Sequence, residues 1–134
     1  MNFSKTATYS LNILSYMAAH DDIKMSASFL NKKLGIPYQY LRQVLAQLSR
    51  SGFIYSTKGR NGGFVFSRPA ETITLADILE STDGLESFNR CILGFRKCPF
   101  DSKCTMHNVW EETRNKMMTI LKNTSLKDIS VKRS

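Results

Sequence analysis

The tripeptide Gly35-Ile36-Pro37 constrains the fold of this chain more than any other feature, because it leaves two amphipathic stretches only a few residues apart. Upstream, SASFLNKKLG offers Ser26 as a helix cap, Phe29, Leu30 and Leu34 on one side, and Gly35 as a stop. Downstream, Ile36 precedes a proline and is driven from the helical region, whereas Pro37 suits the first position of a new helix. PYQYLRQVLAQLSRSG then sets Leu41, Val44, Leu45 and Leu48 on one face and Gln39, Gln43 and Arg50 on the other, with Tyr40 and Arg42 flanking the polar side. Gly52 ends that helix. The expectation is a helix, a three-residue turn and a second helix.

Around this pair the remaining elements can be read from periodicity. SKTATYSLNILSYMAAHDD has Ser4 as a cap and Ala7, Leu11, Leu14 and Ala18 at the spacing of one helical face. After the second helix, FIYSTKGRNGGFVFSRP predicts two short strands, Phe53 to Lys58 and Gly63 to Ser67, around a Gly-Arg-Asn-Gly-Gly tip with Asn61-Gly62 as the turn signal. Thr74 with Asp77 three residues on forms a capping pattern for LADILEST, which Gly84 closes. Met106, Val109, Trp110, Thr113, Met117, Ile120 and Leu121 recur at helical spacing to about Asn123. The fold class is therefore mainly α with a small β-hairpin wing: a winged helix-turn-helix plus a long C-terminal dimerisation helix. At 134 residues the chain can bury one modest core. We divide it into a winged helix-turn-helix at 1–85, a compact unit of cysteine loop and long helix at 86–129, and a flexible tail at 130–134.

Charge points to the partner. The chain carries a formal +8, and Ile23 to Ala70 holds Lys24, Lys32, Lys33, Arg42, Arg50, Lys58, Arg60 and Arg68 without one Asp or Glu. So long a stretch without a carboxylate suits a polyanion, most simply double-stranded promoter DNA. Glutamine can bridge adenine N6 and N7, and arginine guanine O6 and N7, so Gln39, Arg42 and Gln43 are the base-reading candidates. Tyr38, Tyr40, Lys58, Arg60 and Asn61 are assigned to the sugar-phosphate backbone or the minor groove, and Ser26 and Gly62 are further DNA-binding candidates. The bland alternative is a solvated helix face beside an ordinary hairpin.

All three cysteines fall in CILGFRKCPFDSKCTMH, spaced C-x6-C-x5-C-x2-H from Cys91 through Cys98 and Cys104 to His107. An odd number argues against a closed disulfide framework, and thiolates with an imidazole are ligands of zinc and of iron-sulfur clusters. Zinc sites usually show tightly paired ligands such as C-x2-C, which are absent, and wide spacing in a loop can wrap a larger inorganic body. Spacing alone leaves zinc, cluster and free thiols open. The long helix has more apolar surface than so small a core covers, so Val109, Trp110, Met117, Ile120 and Leu121 are expected to form the seam of a homodimer.

GIPYQYLRQVLAQLSRSGFI, the wing KGRNGGFVFSRP, ITLADILESTDG and three cysteines followed by H-x-x-W together resemble the IscR/NsrR-type family of bacterial transcription regulators over nearly the whole chain. The resemblance implies a homodimer on palindromic promoter DNA, seamed by the C-terminal helix. It also implies an iron-sulfur cluster on Cys91, Cys98 and Cys104, with His107 as the fourth ligand, 2Fe-2S being favoured and 4Fe-4S possible. Two positions depart from the pattern. The first cysteine gap is six residues rather than five, and Thr8 stands where the nitric-oxide-sensing branch has a ligating aspartate.

The expected function is a DNA-binding regulator, a repressor, whose promoter affinity follows an iron-sulfur cluster sensing redox state, iron-sulfur status or nitric oxide. One rival is a regulator of the same kind without a cluster, sensing by thiol oxidation or a protein partner. The other, a thiol redox or electron-transfer protein, lacks a resolving C-x-x-C pair. An enzyme is not expected, since no set of nucleophile, base and orienting acid is present. No positively charged leader precedes an apolar stretch, and no apolar run reaches the length of a membrane span, so a cytoplasmic protein with no membrane partner is expected.

Overall fold

A computed structural model describes residues 3–89, 91–93, 95, 97, 99–101 and 103–129. Helix α1 (Lys5–Ala19) starts where the Ser4 hydroxyl accepts the Ala7 N–H at 3.0 Å, and buries Ala7, Ser10, Ile13, Leu14, Met17 and Ala18 as one stripe. Helix α2 (Ala27–Leu34) is capped by Ser26 through the Phe29 N–H at 3.1 Å. It stops at Gly35, whose φ of 69° is the left-handed conformation that glycine adopts without a side-chain penalty. The Asn31 amide then crosses the turn to the Ile36 carbonyl at 2.6 Å, and the Ile36 side chain plugs the core. Helix α3 (Tyr38–Arg50) follows at once. Pro37 stands one position earlier than expected: its backbone is still extended (ψ 134°), and its carbonyl accepts the first helical bond, from Leu41.

The wing is an antiparallel pair, β1 (Ile54–Thr57) and β2 (Gly63–Phe66), with Ile54 opposite Phe66 and Thr57 opposite Gly63. Both strands are shorter than the sequence suggests. Phe53 is instead buried below β1, held by N–H bonds to Leu48 and from Ser67. The turn also lies one residue earlier than Asn61-Gly62, running from Gly59 to Gly62 with Arg60 and Asn61 at its apex, because Gly59 takes the positive φ (106°) and the Gly62 N–H bonds back to its carbonyl. On its other side β2 meets the chain just before α2, where the Phe64 N–H donates to the Met25 carbonyl at 2.8 Å. A Cβ on Gly63 would lie 2.9 Å from the Met25 backbone, so the hairpin sits hard against the helix-turn-helix.

Helix α4 (Leu75–Thr82) opens with the expected reciprocal cap between Thr74 and Asp77 and closes at Asp83 and Gly84. A 3-10 turn (Leu85–Asn89) leads toward the cysteines, and α5 (Thr105–Asn123) follows them. Beyond α5 the chain returns to the start of α4, with the Leu75 N–H on the Thr124 carbonyl and the Leu126 N–H on the Ile73 carbonyl. Leu126 is fully buried in the main cluster formed by α1, α2, α3 and β1, so the end of the second unit completes the core of the first. A smaller cluster, Ala7, Leu79 and Phe88, receives Met118 and Leu121 from α5. The expected tail at 130–134 lies outside the described residues.

Candidate nucleic-acid interface and cysteine loop

The apolar stripe of α3 fixes which residues it offers outward. With Leu41, Val44, Leu45 and Leu48 buried, Gln39, Arg42 and Gln43 are exposed on the opposite face, as the periodicity requires. The Arg42 guanidinium lies 6.0 Å from the centre of the exposed Tyr38 ring, a cation-π approach that limits its wandering. Tyr40 departs from the expectation that it faces DNA. Half-buried, it turns toward α1, its hydroxyl 3.2 Å from the Thr6 hydroxyl and its ring edge-on to Tyr9 at 5.1 Å. The apolar ring is better covered there than in solvent.

At the wing, Lys58, Arg60 and Asn61 are exposed, and Arg60, Asn61 and Gly62 line a cleft whose other wall is Ile23, Lys24, Ser26 and Phe29. The contact between Met25 and β2 thus brings the wing tip and the start of α2 together. Lys24 was not singled out from sequence as a contact, although its place in the acid-free stretch could have suggested it. Of that stretch, Arg68 is already engaged: it donates to Thr72 and lies 3.8 Å from the Asp77 carboxylate.

In the cysteine loop, Cys91 and Cys104 are half-buried free thiols, while Cys98 lies outside the described residues. Cys91 Sγ accepts the Leu93 N–H at 3.4 Å. Cys104 occupies the cap position of α5, and its carbonyl accepts the His107 N–H at 3.0 Å, so thiol and imidazole stand one helical turn apart. His107 Nε2 is 3.4 Å from the Glu111 carboxylate. Ile92, Leu93, Phe95 and Phe100 are exposed, and Phe95 and Phe100 meet edge-to-face at 6.1 Å. Among the described residues, no three His, Cys, Asp or Glu side chains gather closely enough to hold a metal ion.

Helix α5 buries none of its residues completely. Of the five residues expected at a seam, Val109 (56% exposed) and Ile120 (61%) face outward, while Trp110 and Met117 are half-buried. Leu121 points the other way, packing with Met118 on the smaller cluster, because it lies some 100° round the helix from Ile120.

These features define a winged-helix protein with an exposed recognition helix and a basic wing. The model of the Rrf2 family, described as iron-dependent transcriptional regulators, matches residues 3–132, and the chain belongs to that family. A protein of Aquifex aeolicus (strain VF5), named as an HTH-type transcriptional regulator, is 34% identical over 131 residues, covering 96% of this chain and 91% of the relative. Among solved structures, CymR (YrzC), titled the global cysteine regulator of B. subtilis, superposes with a TM-score of 0.81 at 21% identity, over 100% of this chain and 99% of that one. IscR of T. potens gives 0.72 at 22% identity, over 96% and 85%. At those identities the two structures show a shared fold. The family is one of transcriptional regulators, and no helix among the described residues is long and apolar enough to cross a membrane.

Proposed function

We propose that the chain works as a homodimer on palindromic promoter DNA, with Gln39, Arg42 and Gln43 of α3 reading bases in the major groove and the Arg60-Asn61 tip on the adjacent backbone. The observation that carries this reading is the outward polar face of α3 beside a wing held at a fixed place by Met25. Two such units, joined by the outward face of α5, would meet half-sites about 34 Å apart. Operators selected from random-sequence DNA test it: a palindrome is expected, whereas absence of any enriched sequence contradicts it.

We further propose that Cys91, Cys98, Cys104 and His107 hold an iron-sulfur cluster that sets promoter affinity. The donor set fits such a group in kind. Two described thiols are free, one accepts the kind of backbone N–H bond that tunes cluster sulfurs, and the family description names iron. His107 would be the fourth ligand, and Glu111, 3.4 Å from its Nε2, would help to orient the ring. When bound, the group would supply a redox-active centre that oxygen and nitric oxide can alter. The chain's own part is to anchor the two flanks of the loop, Phe88 before it and α5 after it, in one buried cluster.

A second reading, sensing through the thiols themselves or a protein partner without a cluster, is favoured by the two free thiols of the loop and by the likeness to CymR, which is titled a global cysteine regulator. Iron and sulfide analysis of protein purified without air separates the two: stoichiometric iron with acid-labile sulfide is expected, and colourless metal-free protein supports the thiol reading.

A further inference from the structure

We infer that the last turn of α4, Ser81 to Asp83, is the junction through which the cysteine loop sets the aim of α3, with Gln47, Tyr40 and Asp83 as positioning residues. The inference rests on the proposal that the loop is the sensor.

The apolar stripe holds α3 to the core, but such contacts have little directional preference. Two polar side-chain ties fix its orientation. Tyr40 meets Thr6 of α1 at 3.2 Å, and Gln47 donates its amide N–H to the Ser81 carbonyl of α4 at 3.1 Å. These residues lie seven apart, two helical turns, on one side of α3, and Arg42 and Gln43 fall between them on the exposed side. Helices α1 and α4 are in turn tied to each other. Asp83 accepts the Ser4 N–H at 3.0 Å and the Ser4 hydroxyl through its second oxygen. Thr6 and Tyr40, Gln47 and Ser81, Asp83 and Ser4 therefore close a ring of links around three helices, and the last turn of α4 holds two of its corners.

Both ends of the cysteine loop bear on that ring. Before Cys91, Phe88 is buried against Ala7 and Leu79 and meets the Phe3 ring at 5.7 Å. The Leu85 N–H bonds back to the Glu80 carboxylate at 2.8 Å, which ties the 3-10 turn to α4. After Cys104, α5 lays Met118 and Leu121 on the same Ala7-Leu79-Phe88 cluster. A change in how the cysteines are held together would act on Phe88 and on α5, the two flanks of the loop that meet in this cluster. Close-packed side chains transmit such a shift rather than absorb it. Two of its buried members, Ala7 and Leu79, belong to the first turn of α1 and the second half of α4, the two places from which Tyr40 and Gln47 are held.

The test compares two loop states, the protein purified without air and its Cys104→Ala variant, on an operator fragment selected from random DNA by the unmutated protein. With both ties intact, the dissociation constants of the two states should differ by about tenfold. Combining Gln47→Met with Tyr40→Phe, which keep side-chain volume but remove the two ties, should bring that ratio to about twofold or less while DNA is still bound. Equal weakening of both states with the ratio preserved marks the ties as merely structural and overturns the inference. A ratio near one with both ties intact shows instead that the loop is not the sensor, and the junction falls with it. Should the double variant not fold, amide hydrogen exchange on DNA-free protein with both ties intact decides. Protection at residues 40–47 and 81–84 should differ between the two loop states, and identical protection overturns the junction.

Discussion

Single residues show where local chemistry leaves no alternative. Gly62 has no room for a side chain, since a Cβ would stand 2.4 Å from the Thr57 carbonyl and 2.9 Å from that of Gly59. Both neighbours are backbone and cannot swing away, so Gly62→Ala should destabilise the protein by about 1–3 kcal/mol. Denaturant unfolding checks this, and an unchanged midpoint would show that the turn is built differently. Ser10 presents the converse case. Its hydroxyl is fully buried in α1 and meets no hydrogen-bond partner among the described residues. An unsatisfied buried polar group costs about 1–3 kcal/mol, so Ser10→Ala should leave stability equal or higher. Thermal unfolding of that variant would reveal a hidden partner as a clear loss. The sequence marks Gly62 as part of the Asn61-Gly62 turn signal but not the closeness of the two carbonyls, and Ser10 reads as one of several helix serines.

At the scale of elements, caps and periodicity carried most of what could be read in advance. Ser4, Ser26 and Thr74 cap the helices they precede, and Gly35 stops α2, because each acts through its own backbone within a few residues. Contacts made across the chain were not legible. Tyr40 looks like a neighbour of the polar face until α1 supplies Thr6 and Tyr9, and Gln47 looks like a solvated glutamine until α4 supplies the Ser81 carbonyl. The cysteines are not legible in this way either, because loop spacing does not fix a ligand geometry, and Cys98 lies outside the described residues. Two variants should separate the roles of recognition helix and wing. Arg60→Ala at the exposed tip should weaken binding on all sequences alike and lower the salt slope by about one. Gln43→Ala should change which base is preferred, by about 1–3 kcal/mol at one position of each half-site. Binding isotherms across salt, with a panel of singly substituted operators, check both. Equal effects of the two variants on every operator would remove the division of labour.

For the whole molecule, the proposed dimer rests on the outward face of α5. Val109 and Ile120 are more than half exposed on a helix whose other side packs on its own chain. A charge at Ile120 would be stranded in any seam formed there, so Ile120→Glu should shift a dimer toward monomers by light scattering, with helix content retained. A monomer for the unmutated chain would leave paired half-sites without a partner. The central claim is that the loop's cysteines hold an iron-sulfur cluster whose presence sets promoter affinity. The most direct measurement determines iron and acid-labile sulfide alongside operator affinity, for protein purified without air and for a variant with Cys91, Cys98 and Cys104 all changed to alanine. The account predicts iron and sulfide in the first, neither in the second, and a clear difference in affinity between them. Equal iron and sulfide in both proteins, or one tightly held zinc without sulfide in the first, would contradict it.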